Sequence, residues 1–263
     1  MRRLALLGIQ LFVIVVVVGC WQLVTRSAAN PNFPTPSSII GAMYHQWFDG
    51  PVSHLWLTTD ATGNLLPSLG RILAGLAVAS LVGVAAGLII GRNTVLAELT
   101  EPLVHFGRAI PPPTLVPAFL FVFKIGSPME IGVIAFGVLW PVLLNTIDGA
   151  RHVHPGQLET ARAFRLGPGQ RLLRVILPAA GPKIFAGLRV GLSISLILMV
   201  ISEFQGSTDG IGRELLVAQG EFDIPTIWAV IVLLGLLGIV LNALLAVGER
   251  HALAWQRGSV GAE

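Results

Sequence analysis

The sequence predicts an all-α membrane protein of about six transmembrane helices with both termini in the cytoplasm. Three observations predict it. Of 263 residues, 54% are hydrophobic and only 12% are charged, where soluble domains carry about 25% charge. The apolar residues gather into runs long enough for a bilayer, which needs about 20 in a row. The basic residues sort to one side of those runs. A mean hydropathy of +0.78 leaves too much apolar surface for disorder, and one cysteine excludes a disulfide scaffold.

Residues 1–24 hold the first span, Leu4 to Val24, behind Arg2 and Arg3. Val17-Val18-Gly19-Cys20 resembles a lipoprotein cleavage site, but the apolar run continues past Cys20 through Trp21 and Val24, which favours an uncleaved span. Residues 25–68 form an extracytoplasmic segment rich in proline. There Ser37-Ser38 is placed to cap a short amphipathic helix bearing Ile39, Ile40, Met43, Tyr44 and Trp47 on the membrane surface, with a plain linker as the alternative.

The membrane core covers residues 69–247. Its second span, Leu69 to Gly91, carries Gly75, Ala79, Gly83 and Gly87 four apart, one helix face that admits close packing. A polar stretch from Arg92 to Arg108 precedes a third span over Ile110 to Phe123, broken by prolines. Lys124 to Glu130 reads as a turn, Ile131 to Ile147 as a fourth span bent at Trp140-Pro141, Ile184 to Ile201 as a fifth and Ile227 to Val247 as a sixth. Residues 248–263 form a cytoplasmic tail. Twelve of the 17 basic residues then fall in inside loops and three outside. That asymmetry orients the chain and implies no nucleic acid.

No catalytic constellation is visible. The chain has no Gly-Lys-Ser/Thr phosphate loop, so it does not split ATP by itself. His152 and His154 read as solvated, with no metal site. Glu203, Asp209 and Asp223 read as members of a solvated outer loop rather than a cation site. The informative segment is the inside loop 148–182. Pro155 is placed to open a helix through Phe164, Gly167-Pro168-Gly169 to stop it, and a second short helix to end at Leu177-Pro178. A water-side loop that is half apolar and half arginine suits a docking partner; an ordinary surface loop pair is the alternative.

Glu159-Thr160-Ala161 with Val175-Ile176-Leu177-Pro178, then Ala186-Gly187-Leu188-Arg189, resembles the "EAA" loop of binding-protein-dependent ABC importer permeases. The branch is that serving nitrate, sulfonates and taurine. Phe33-Pro34-Thr35-Pro36-Ser37, Ser68-Leu69-Gly70-Arg71, Ala109-Ile110-Pro111-Pro112, Leu143-Leu144-Asn145-Thr146 and Glu203-Phe204 are similar to that branch in the same order. The family has glycine where this chain has Arg165; a turn slid onto Gly167 is the preferred reading, with Arg165 in a glycine-like backbone as the alternative.

The resemblance implies a type I importer permease bundle in a prokaryotic inner membrane, paired with a second copy or paralogue and fed by an external solute-binding protein. Glu159, Thr160, Ala161, Phe164, Gly167, Leu177 and Pro178 would couple it to ABC ATPase subunits that hold ATP and magnesium, while this chain binds no cofactor and is not an enzyme. Asn145, Ser193 and Ser195 are the polar candidates for lining the pathway, backbone-bonded side chains being the alternative. Two other classes make different demands on the sequence. A secondary carrier calls for intramembrane acids, which the predicted spans lack, and a membrane-embedded enzyme calls for convergent acid, base or metal groups, of which none is apparent.

Overall fold

The computed structural model describes residues 2–28, 30–52 and 56–255, with side chains from Gly8 onward. The tail residues 256–263, including Arg257, and the side chains of Arg2 and Arg3 lie outside the described residues. The chain divides into two compact units, residues 1–66 with 209–236, and residues 67–208 with 237–263.

In the first unit, α1 (Arg2–Ala28) exposes its apolar side chains along almost its whole length, as a helix facing lipid does. Cys20 is exposed on it. The short α2 (Pro36–Met43) starts at Thr35, whose hydroxyl accepts the Ser38 N–H, so the cap precedes the serine pair that the sequence suggested. Pro36 occupies the first turn, where its missing N–H is no loss. Five further residues, Tyr44–Phe48, widen the helix to π geometry and turn Trp47 fully inward. Of the predicted apolar face, Ile39 and Trp47 are buried, whereas Ile40 and Tyr44 are exposed. Trp228 binds this unit together by packing at a tilt against Trp21 and Phe33 and donating its indole N–H to the Asn32 carbonyl at 3.2 Å.

The segment read as a solvated loop contains a helix here, α10 (Ile211–Glu221). Gly210 enters it at φ 111°, and its N–H donates to Asn64 Oδ1 at 2.9 Å. Glu214 turns inward, accepting from Gln46 Nε2 at 2.9 Å and from the Trp47 indole at 3.4 Å.

The second unit is built on α3 (Leu66–Gly91), α6 (Ser127–Arg151) and α9 (Leu177–Gly206). The four-apart face of α3 is buried, and it meets α6 where small side chains are required. A Cβ added at Gly87 would lie 2.6 Å from that of Thr146, and one at Gly83 would press on Val142. Gly187 and Gly191 of α9 approach Pro141 and Val138 of α6 in the same way. Pro141 lies within a helix assigned without interruption from Ser127 to Arg151.

Two boundaries differ from the sequence reading. The stretch Arg92 to Arg108 is mostly helix, α4 (Thr94–Ala109), capped by Asn93. Its Glu98, Glu101, His105 and Arg108 depress its average hydropathy, while Val95, Leu99, Leu103 and Phe106 form an apolar stripe. After Pro111 to Pro113 comes α5 (Val116–Phe123), and the break is bent by 84°, so the predicted third span is a bent helix pair. Residues 168–206 run as one apolar helical stretch, so Leu177-Pro178 does not end a helix. The stretch passes Pro178 because Leu172–Ile176 form a π turn, in which the Leu177 N–H reaches back five residues to the Leu172 carbonyl. Counting the bent pair as one span, the described residues hold six candidate spans, the last being α11 (Ile224–Ala252).

Burial pushes the Glu214 carboxyl above its ordinary value of 4.5, against the opposing pull of the Gln46 and Trp47 hydrogen bonds. A carboxyl whose folded value is raised holds its proton better folded than unfolded. Its stabilising share is therefore full below 4.5 and is lost as pH rises through the raised value. Glu214→Gln should flatten this decline in melting temperature between about pH 4 and pH 7, measured on the detergent-solubilised protein; an unchanged slope would refute it.

Candidate functional site

The hairpin predicted to carry function stands at one end of the second unit. Its first helix, α7 (Pro155–Ala163), opens on Pro155 as expected. His154, read as merely solvated, caps it by accepting the Gly156 N–H at 3.1 Å. The helix closes with Arg165 in the left-handed region at φ 53°, the Arg165 N–H bonding the Arg162 carbonyl at 2.8 Å and the Leu166 N–H bonding the Ala161 carbonyl at 3.0 Å. This is the Schellman pattern, whose left-handed position glycine usually fills. Gly167 has φ −62°, an ordinary extended backbone. The turn has therefore not slid: it sits on Arg165, and the preferred sequence reading is corrected. α8 (Pro168–Arg171) then leads into the π turn and α9.

Beneath the hairpin, Leu88, Ala150, Val153, Ile176, Ala180 and Ile184 form a buried cluster, with Leu158, Leu172 and Leu177 packed on it. Polar contacts fix the same end. Lys183 Nζ meets Asp148 at 2.8 Å, His152 Nδ1 meets the same carboxylate at 2.9 Å, and Arg92 donates to the Ala150 carbonyl at 3.1 Å.

Above the cluster lies an open cavity of about 720 Å³, largely apolar, lined by Thr160, Ala161, Phe164, Arg174, Pro178 and Trp255 among others. Four of the seven predicted docking residues thus converge on one surface. Phe164 is 77% exposed at its rim. Glu159 is exposed beside it, Gly167 is half-buried away from the lining, and Leu177 packs inward on the apolar cluster.

The pathway candidates are scattered. Asn145 donates to the Pro141 carbonyl at 2.8 Å, Ser193 to Arg189 at 3.4 Å, and Ser195 to Leu192 at 2.7 Å. Ser193 is exposed and Asn145 half-buried, but Ser195 is fully enclosed and reaches no surface.

The residues that sequence reasoning missed lie at the opposite helix ends. Arg71 of α3 is 4% exposed, and Glu130 of α6 and Glu203 of α9 are wholly buried. The Arg71 guanidinium pairs with both: Nε contacts Glu130, and Nη1 meets Glu203 Oε1 at 2.8 Å. Ser68 donates to the same Glu203 oxygen at 2.7 Å, and Arg71 Nε reaches Ser127 at 3.1 Å. Glu203 is therefore not a solvated loop residue, and Glu130 belongs to a helix rather than a turn. Both escaped because the apolar windows stopped at Ile131 and Ile201. One signal was available, since Ser68 and Arg71 stand three apart at the start of an apolar helix, a costly place for arginine unless acids wait opposite. Among the described residues, no three His, Cys, Asp or Glu side chains gather as a metal site.

Residues 68–252 match the family model described as "Binding-protein-dependent transport system inner membrane component". The bicarbonate transport system permease protein CmpB of Synechococcus elongatus is 31% identical over 189 residues, 72% of this chain and 68% of that protein. The nitrate import permease protein NrtB of Synechocystis sp. is 28% identical over 237 residues, 89% of this chain and 84% of that one. An inward-facing structure of the MetNI methionine ABC transporter superposes with a TM-score of 0.62 at 18% identity, covering 72% of this chain and 94% of that chain.

Two expectations follow from the geometry. Arg165→Gly should stabilise the hairpin by about 1 kcal/mol, read as stronger hydrogen-exchange protection over Pro155–Ala163, whereas Gly167→Ala should change little, since nothing lies within 4 Å of its added Cβ. Arg71→Met should lower stability by about 3–5 kcal/mol by stranding two buried carboxylates. Adding Glu130→Leu and Glu203→Leu should restore part of the loss in a thermal melt; no recovery would mean the acids were not the cause.

Proposed function

The chain belongs to the family of inner-membrane components of binding-protein-dependent transport systems, and from that premise we propose how its parts divide the work. It is a permease subunit of an ABC importer, a multi-pass membrane protein without a catalytic step of its own. In our reading the hairpin from Glu159 to Pro178 faces the cytoplasm and seats in a groove of an ABC ATPase subunit, which holds ATP and magnesium. The observation that carries this is the apolar cavity with Phe164 exposed on its rim. A large aromatic beside a water-facing concavity is the usual anchor of a helix-in-groove contact.

The lever is built into the chain. Residues 168–206 form one helical stretch of 39 residues, about 58 Å at 1.5 Å per residue. A shift imposed on the hairpin by closure of the ATPase pair tilts α9, and α6 is carried with it through their tight interface. A second copy or a paralogue completes the pathway, and alternation of its two openings moves the solute. Asn145 and Ser193 are the pathway candidates with access to a surface, whereas enclosed Ser195 is not. The extracytoplasmic elements α2 and α10 would meet the solute-binding protein. The named substrates of the relatives, bicarbonate and nitrate, point to a small anion as the solute.

The secondary-carrier reading drew its weakness from a lack of intramembrane acids, and Glu130 and Glu203 remove that argument. Family membership excludes it instead. For the docking assignment, Phe164→Ala should weaken co-purification with the cognate ATPase by about tenfold or more. Glu159→Lys should abolish ATP-driven uptake while the protein still inserts. Normal association and uptake in both variants would overturn the assignment.

A further inference from the structure

A second concavity lies on the other side of the hairpin, and its chemistry differs from that of the docking cavity. It has a volume of about 500 Å³ and is lined by Leu81, Val84, Ala85 and Leu88 of α3 together with Leu172 and Leu177. The one polar lining group, the Ser80 hydroxyl, is already committed to the Leu76 carbonyl. With its donor engaged, the groove offers an occupant almost nothing but apolar surface, which suits a hydrocarbon chain. It runs along a membrane-spanning helix, where the available hydrocarbon is the acyl chain of a lipid.

Two arginines adjoin the groove's lining residues along the chain. Arg92 lies one turn beyond lining residue Ile89, its N–H on the Ile89 carbonyl at 3.3 Å, and Arg171 directly precedes lining residue Leu172. Arg92 gives one guanidinium N–H to the Ala150 carbonyl. Among the described residues neither arginine has a carboxylate partner, and nearby Asp148 is occupied by Lys183 and His152. Two arginines that adjoin the lining in the chain and have no carboxylate partner among the described residues complement a phosphate headgroup.

We propose that the groove between α3 and the π turn is a binding site for an anionic phospholipid, one acyl chain lying against Leu81, Val84 and Leu88 and the headgroup phosphate held by Arg92 and Arg171. The lipid would brace the elbow from which the hairpin is levered. The inference rests on the reading that this end of the bundle sits at the headgroup layer, but not on ATPase docking, so the two fail separately.

The test uses the full chain, purified alone and placed in nanodiscs of phosphatidylcholine with phosphatidylglycerol. Lipid retained after detergent washing is counted by native mass spectrometry. The parent should retain phosphatidylglycerol in preference to phosphatidylcholine. Arg92→Gln with Arg171→Gln should reduce that preference about thirtyfold, from roughly fivefold per arginine, and the paired Lys substitutions should preserve most of it. Ala85→Trp, at an exposed position that fills the groove, should displace the retained lipid while both arginines remain. Equal retention of the two lipids by the parent, or phosphatidylglycerol retention unchanged in the Gln pair or in Ala85→Trp, would overturn the site. So would loss of ATPase association in the Gln pair with lipid retention intact, because the arginines would then serve the protein partner.

Discussion

The second unit depends on the contact of Arg71 with Glu130 and Glu203. An arginine and two acids removed from water lose several kcal/mol of hydration each, and only close mutual pairing with further hydrogen bonds offsets that loss. The requirement fixes more than three side chains. It fixes the register of α3 against α6 and α9, since a one-residue rotation of any of them would swing its charge about 100° away from the others. The small-residue face of α3 serves the same end, because Gly75, Gly83 and Gly87 let the backbones approach closely enough for Arg71 to reach both acids.

The opposite ends of these helices are held by a different chemistry. Glu130 and Asp148 stand eighteen residues apart on α6, about 27 Å along the axis, close to the thickness of a bilayer's hydrocarbon core. At the Asp148 end the ion pair with Lys183 is exposed, so it is worth little by itself. The apolar cluster around Ile176 and Ala180 does most of the holding there. One end of the unit is thus fixed by buried charge and the other by apolar packing beneath the hairpin, so the register is held most strictly at the Arg71 end.

Much of this was legible in sequence, for identifiable reasons. Long apolar runs, the four-apart glycines and the arginine-rich hairpin all follow from the bilayer's demand on composition. The failures have equally physical causes. Helix α4 was hidden because its charged residues lower an average that ignores which face they occupy. Glu130 and Glu203 were hidden because an acid one or two residues beyond an apolar window reads as loop, although a helix does not stop where its hydropathy does. Pro178 looked like a terminator because a proline forbids an i to i−4 bond, and a π turn upstream removes that conflict. Arg165 looked unlikely to hold a left-handed turn, yet the Schellman bonds around it are complete, and about 1 kcal/mol of backbone strain is affordable on a surface.

The π turn at Leu172–Ile176 has a consequence for how this hairpin can vary. A π turn is a regular helix with one residue too many, so the segment before it is out of phase with α9 by one residue's rotation. Deleting a single residue there would heal the helix into uniform α geometry without breaking it. The fold of each half would survive, but the face bearing Thr160, Ala161 and Phe164 would swing through about 100° around the axis of α9. The length of this loop is thus a phase setting, and chains that share the hairpin but differ by one residue within it would aim the same side chains at different neighbours.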